Sequence, residues 1–178
     1  MKKTCILILI LSITTFSFSQ RKSNPKIGKN ETEIAAFIMG DYDLAYGGQL
    51  VYRLSVIKKL KLGAGILYGA NYENGSSPGI YGYGAVFADA LYFVGHRQKW
   101  SFGGQIGHGF YNRDLPPFSK IKAGIYYNIS ANYRAIISNK LLFTTSLFIG
   151  YRNFHFEGLQ GTSTNNTGFS GLKLGVVF

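Results

Sequence analysis

The chain has 178 residues, enough for one domain, and carries 19 Lys and Arg against 8 Asp and Glu, a net charge of +11. Charged residues make up only 15%, aromatics reach 16% and glycine numbers 23, whereas a typical soluble domain is about 25% charged. This mixture excludes disorder and a helical bundle, and the single cysteine excludes a disulfide scaffold or a Cys-rich zinc site.

The first element is an address. Met1-Lys2-Lys3 is basic, Cys5 to Leu11 is apolar, and Ser17-Phe18-Ser19 places small residues before Gln20. This is the three-part pattern of a secretory signal peptide over residues 1–19. The apolar run is shorter than the roughly 20 residues a membrane helix needs. Cys5 lies inside that run and not at the cut, so no lipoprotein anchor is expected and the mature chain has no thiol. Residues 20–30 are polar and basic around Pro25 and read as a flexible periplasmic tail. Lys2, Lys3, Arg21, Lys22, Lys26 and Lys29 all precede the first strand. In an exported chain the remaining positive excess fits anionic lipid headgroups, and no nucleic-acid partner is expected.

From residue 31 to residue 178 the dominant period is two, the strand signal. Ile121, Ala123, Ile125, Tyr127, Ile129, Ala131 and Tyr133 share one face, against Lys122, Gly124, Tyr126, Asn128, Ser130, Asn132 and Arg134. The same split recurs over Leu60–Tyr72, Leu141–Arg152 and Gly171–Phe178. Eight strands are expected: Glu31–Met39, Gly47–Ser55, Leu60–Tyr72, Gly79–Val94, Trp100–Tyr111, Lys120–Ile137, Lys140–Phe156 and Gly168–Phe178. The first two are marginal for the roughly 9–11 residues of a membrane-crossing strand. The fourth, sixth and seventh exceed it, so their outer ends should project. Connectors at Ser55–Lys59, Gly95–Lys99 and Ser138–Asn139 are tight. Those at Gly40–Tyr46, Glu73–Pro78, Asn112–Ser119 and Glu157–Thr167 are longer and rich in Gly, Asn, Ser, Thr or Pro. The expected fold is all-β: an eight-stranded antiparallel up-and-down transmembrane barrel with short periplasmic turns and longer extracellular loops.

With its export signal, amphipathic strands and the ending Leu172-Lys173-Leu174-Gly175-Val176-Val177-Phe178, the chain resembles small outer-membrane β-barrels of the OmpA/OmpX-like porin superfamily. The stretches Val86–Tyr92 and Gln105–Tyr111 are similar to those of uncharacterised barrels in this group. In those proteins Arg often stands at the position of Leu91 and Tyr at that of His108. The resemblance implies the outer membrane of a Gram-negative bacterium, with lipid, lipopolysaccharide and the assembly machinery as partners. It also implies that Leu172, Leu174, Val176 and Phe178 form a C-terminal assembly signal.

A barrel this small is expected to be filled by its own side chains. The lumen polar network should comprise Arg53, Lys61, Asp89, Gln105, Asn128, Asn132 and Arg134. Cations outnumber anions in that set, so any open path would favour anions. The expected role is structural or interaction-based in the envelope. A narrow channel or small-ligand carrier is the alternative, and a lipid A-modifying hydrolase or acyltransferase the second.

No catalytic constellation stands out. The deacylase pattern that shares this fold has Ser two residues after His, whereas Glu157 follows His155 and Phe110 follows His108. His155 and Glu157 are the one acid–base pair worth keeping, and His96 sits in a turn far from the outer leaflet. No metal or cofactor is called for. The loop Glu157–Thr167 is the candidate contact surface for an extracellular ligand or protein. Arg at Ile125 or Leu147, near mid-membrane, should cost about 2–4 kcal/mol, and Arg at lumen-facing Asn128 or Ser146 less.

Overall fold

Alternation builds the elements. Along Glu31–Met39 the odd residues are buried and the even ones largely exposed, because the pleat turns successive side chains to opposite faces. A computed structural model of the chain describes residues 30–40, 44–73, 79–95, 98–112, 121–138, 141–158 and 161–178, without the side chains of 71–73, 79–81, 111–112, 121–123, 154–158 and 161–165. The signal peptide, the tail before Asn30, His96 and the side chains of Tyr81, His155 and Glu157 lie outside the described residues.

The strands are β1 (Asn30–Gly40), β2 (Leu44–Ile57), β3 (Leu60–Glu73), β4 (Gly79–Val94), β5 (Trp100–Asn112), β6 (Ile121–Ser138), β7 (Leu141–Gly158) and β8 (Gly161–Val177). Each pairs antiparallel with the next, and β8 returns to β1 to close the barrel. Closure satisfies the backbone groups that a bilayer leaves without water. The end carrying Asn30, Phe178 and the β2–β3 turn is termed the base, and the opposite end the rim.

The outside is inverted relative to a soluble protein. Ile34, Ile66, Ile106, Ile129 and Leu147 are each more than half exposed. Tyr52, Tyr92 and Trp100 flank this aliphatic belt towards the base, and Tyr46, Tyr68 and Phe110 flank it towards the rim. An apolar band between aromatic girdles is the lipid-facing surface of a transmembrane barrel.

Two expectations about connectors are corrected. β1 and β2 run to 11 and 14 residues, and β2 starts at Leu44, not Gly47. More consequentially, the expected loop Glu157–Thr167 is mostly strand. β8 begins at Gly161, and the β7–β8 register runs unbroken from Leu142↔Val177 to Gly158↔Gly161. Its Thr-rich sequence suits a pleated backbone, but its polarity reads as loop because the ribbon has left the apolar belt. Between the described strands the rim intervals are therefore 41–43, 74–78, 113–120 and 159–160. β8 also overshoots β1, whose last pair is Gly40↔Ser170.

Inside, an aromatic layer lies rimward of the charged residues. The Tyr126 ring stands 5.9 Å from both Phe87 and Phe169, and Phe148 meets Phe169 edge-on at 6.1 Å. Phe87 needs glycine on both neighbouring strands. A Cβ at Gly65 would lie 2.7 Å from its ring, and one at Gly107 would lie 2.6 Å from its Cα.

Candidate functional site

Register assembles the site. Arg53 pairs with Glu31 on one side and Gly63 on the other; Gly63 pairs with Asp89, Asp89 with Gln105, and Gln105 with Asn128. One continuous row across six strands therefore points its side chains into the lumen. Gly63 keeps that row open, since a Cβ there would come within 2.9 Å of Arg53 Cγ. The guanidinium can then cross β3 to reach β4.

Arg53 is the hub and is 1% exposed. Its Nη1 donates to Glu33 Oε2 at 2.6 Å and to Glu31 Oε1 at 3.3 Å, and its Nε donates to Asp89 Oδ2 at 2.5 Å. Arg134 grips Glu31 with two parallel bonds, Nη2 to Oε1 at 2.6 Å and Nη1 to Oε2 at 2.9 Å, the bidentate geometry that makes Arg–carboxylate pairs strong. Lys61 Nζ donates to Glu31 Oε2 at 2.6 Å, and Lys173 Nζ lies 3.0 Å from Glu33 Oε1. The Phe93 ring lies under Arg134 at 4.5 Å. Leu91, also buried, faces the interior beside this cluster.

A neutral relay continues rimward. Gln105 Nε2 donates to Asp89 Oδ1 at 2.9 Å, and Asn128 Nδ2 donates to Gln105 Oε1 at 2.7 Å. Tyr126 donates to the same oxygen at 3.2 Å and contacts Asn128 Nδ2. Asn132 stands apart, donating to the Ser101 carbonyl at 3.3 Å. The structure thus brings Arg53, Lys61, Asp89, Gln105, Asn128 and Arg134 into one connected network and leaves Asn132 beside it.

Three members were missed by sequence reasoning: Glu31, Glu33 and Lys173. They correct the expected charge balance. The read set holds three cations and one anion, whereas the cluster holds Arg53, Lys61, Arg134 and Lys173 against Glu31, Glu33 and Asp89. The excess shrinks from two to one, which removes most of the basis for an anion preference. Strand parity puts Glu31 and Glu33 on one face, opposite Thr32 and Ile34, but does not say which face is the lumen.

The described side chains leave little space around the cluster. A void of about 10 Å³ persists between Met39, Gln49, Gln105, Asn128 and Phe148, at the lower limit of what one water needs. Buried Arg152 stacks over Tyr83 at 5.1 Å on the rimward side.

Elsewhere, Leu172, Leu174 and Val176 are partly exposed and Phe178 is exposed. They line the outer surface of the β1–β8 seam, where Thr32 and Phe178 exchange backbone bonds of 2.8 and 3.0 Å. His108 faces outward on β5 between Val86 and Ile125. Among the described residues no group of His, Cys, Asp and Glu could hold a metal ion.

No protein-family model and no curated protein sequence matches the chain. Solved structures do. The N-terminal β-barrel domain of Pseudomonas aeruginosa OprF matches with a TM-score of 0.50 at 18% identity, over 85% of this chain and 99% of that one. Neisserial surface protein A matches with a TM-score of 0.54 at 15% identity, over 83% and 94%. The outer membrane protein AlkL, solved in lipid bilayers, matches with a TM-score of 0.51 at 10% identity, over 90% and 94%. With its closed eight-strand sheet and outward apolar belt, the chain has the fold of these small outer-membrane β-barrels.

Proposed function

We propose that the protein is a plugged barrel of the outer membrane with a structural or interaction role, not a conduit or an enzyme. The observation that carries this reading is the filled lumen, with a charged cluster at the base, an amide relay above it and an aromatic layer towards the rim. The charged cluster and the amide relay are cross-linked by buried hydrogen bonds and ion pairs, so an ion crossing the barrel would have to break buried charge-assisted bonds. The base faces the periplasm, residues 1–19 are removed in export, and the stripe Leu172, Leu174, Val176 and Phe178 is read by the assembly machinery. The paired rim ends of β7 and β8 replace the expected loop as the surface for an extracellular partner.

Planar-bilayer recording of the refolded chain tests the plug. No conductance steps above the lipid baseline are expected, and repeatable steps would overturn the reading. Lipid A mass spectra from cells lacking and overproducing the protein should be identical. A change in acyl number or length would establish an enzyme and direct mutagenesis to His155 and Glu157.

A further inference from the structure

The side-chain carboxylates outside the plug all fall, by sequence, at one end of the barrel. Three of the eight carboxylates, Glu31, Glu33 and Asp89, are buried in the plug. The other five, Asp41, Asp43, Glu73, Asp114 and Glu157, belong by sequence to rim connectors or to the rim ends of β3 and β7. The base connectors carry Lys58, Lys59, Arg97, Lys99 and Lys140 and no side-chain carboxylate.

At the base, the β2–β3 turn and the β4–β5 connector are latched together. Gln98 Nε2 donates to the Lys58 carbonyl at 3.0 Å, and Phe93 N donates to the Lys59 carbonyl at 2.8 Å. Gln98 holds a φ of +48°, left-handed backbone that is uncommon outside glycine. The latch keeps the backbones of Lys58, Lys59 and Lys99 in one neighbourhood, with the first two side chains exposed and the third partly so. Directly beside them the wall is apolar and outward-facing: Val56 is 56%, Ile57 60% and Trp100 58% exposed. Lysines carried on a latched backbone next to an apolar wall match a molecule with a phosphate at one end and acyl chains at the other. A soluble anion would use only the first half of that surface.

We propose that the base, between the β2–β3 turn and the β4–β5 connector, binds an anionic phospholipid of the adjoining leaflet, with its phosphate on Lys58, Lys59 and Lys99 and its chains along Ile57 and Trp100. This rests on the barrel's insertion in a bilayer but not on which end faces the periplasm, so its test stands apart from those of the plug and the orientation.

Native mass spectrometry of the full chain, released from detergent after titration with phosphatidylglycerol or phosphatidylcholine, reads the site directly. Wild type should retain phosphatidylglycerol about a hundredfold better, as expected for three lysines at about fivefold each. Lys58→Gln, Lys59→Gln and Lys99→Gln combined should abolish the preference, and the single changes should lower it in steps should the combination fail to fold. Neutralising Arg113, Lys120 and Lys122 at the rim, an equal loss of charge, should leave it intact. Equal retention of the two lipids, or a preference that survives the base substitutions, would overturn the proposal. So would displacement of phosphatidylglycerol by an equal concentration of glycerol phosphate, which would mark a site for a free anion.

Discussion

Arg53 shows why a buried ion network is better judged by its partners than by its bonds. Three carboxylates converge on one guanidinium, and their desolvation cost offsets most of the attraction. The network adds little net stability but is intolerant of gaps. Arg53→Met should cost about 3–5 kcal/mol, since it leaves carboxylates buried without their shared partner. Lys173→Met should cost less, about 1–3 kcal/mol, because Glu33 keeps its 2.6 Å bond to Arg53. Urea unfolding in vesicles, followed by the single Trp100, measures both, and equal losses would show that Arg53 is not the hub. Gln105 and Asn128 were legible because β5 and β6 alternate cleanly between apolar and polar faces, and Arg53 and Asp89 because each is the single charged residue of its strand. Glu31 and Glu33 were not, because β1 is apolar on both faces further along: Phe37 and Met39 point inward while Ile34 and Ile38 point outward. Parity there separates two hydrophobic sets, and only register with β2 shows which carboxylates meet Arg53.

Among the elements, burial revises one expectation about charge on the strands. Leu147 is 66% exposed on the lipid face, and Leu147→Arg should cost about 2–4 kcal/mol, as should Ile125→Arg. The lower cost expected at Ser146 and Asn128 does not follow from this packing. Ser146 is 1% exposed and pairs directly with Lys173, so Ser146→Arg places a second cation in a full interior. Overpacking alone costs about 1–3 kcal/mol, and the unpaired charge adds to it. The two faces should therefore be comparably intolerant, which the same unfolding measurement decides; a tolerant Ser146 would mean a looser lumen. The β7–β8 ribbon makes the complementary point about legibility. Strands in the belt announce themselves by apolar alternation, whereas a strand in water needs only paired backbone groups and β-tolerant side chains. Hydrogen exchange distinguishes the two readings. Amides of 162–167 that bond across to β7 should be protected far beyond those of a free loop, and uniformly fast exchange there would restore the loop.

Closure is the property on which the whole molecule depends, and one seam carries it. β1 and β8 are the first and last strands of the chain, and their register runs from Glu33↔Val177 to Gly40↔Ser170. An open sheet of the same strands would leave two unpaired edges in hydrocarbon. The seam can be tested covalently, because the lone cysteine, Cys5, lies within the expected signal peptide. Ala36 and Leu174 are direct partners on the outer face, and directly opposed residues bring Cβ atoms to about 4.5–5.5 Å, near the span of a disulfide. Ala36→Cys with Leu174→Cys should oxidise to an internal crosslink that changes mobility on a non-reducing gel and reverts with reductant. Ala36→Cys with Leu172→Cys, displaced by two residues to a diagonal of about 7–8 Å, should crosslink poorly. Folded wild type should also shift its apparent size in SDS on boiling, and the crosslinked variant should shift less, because its ends stay joined after the sheet melts. Efficient crosslinking of both pairs would point to a sliding seam, and failure of the direct pair would mean that the strands do not meet in this register.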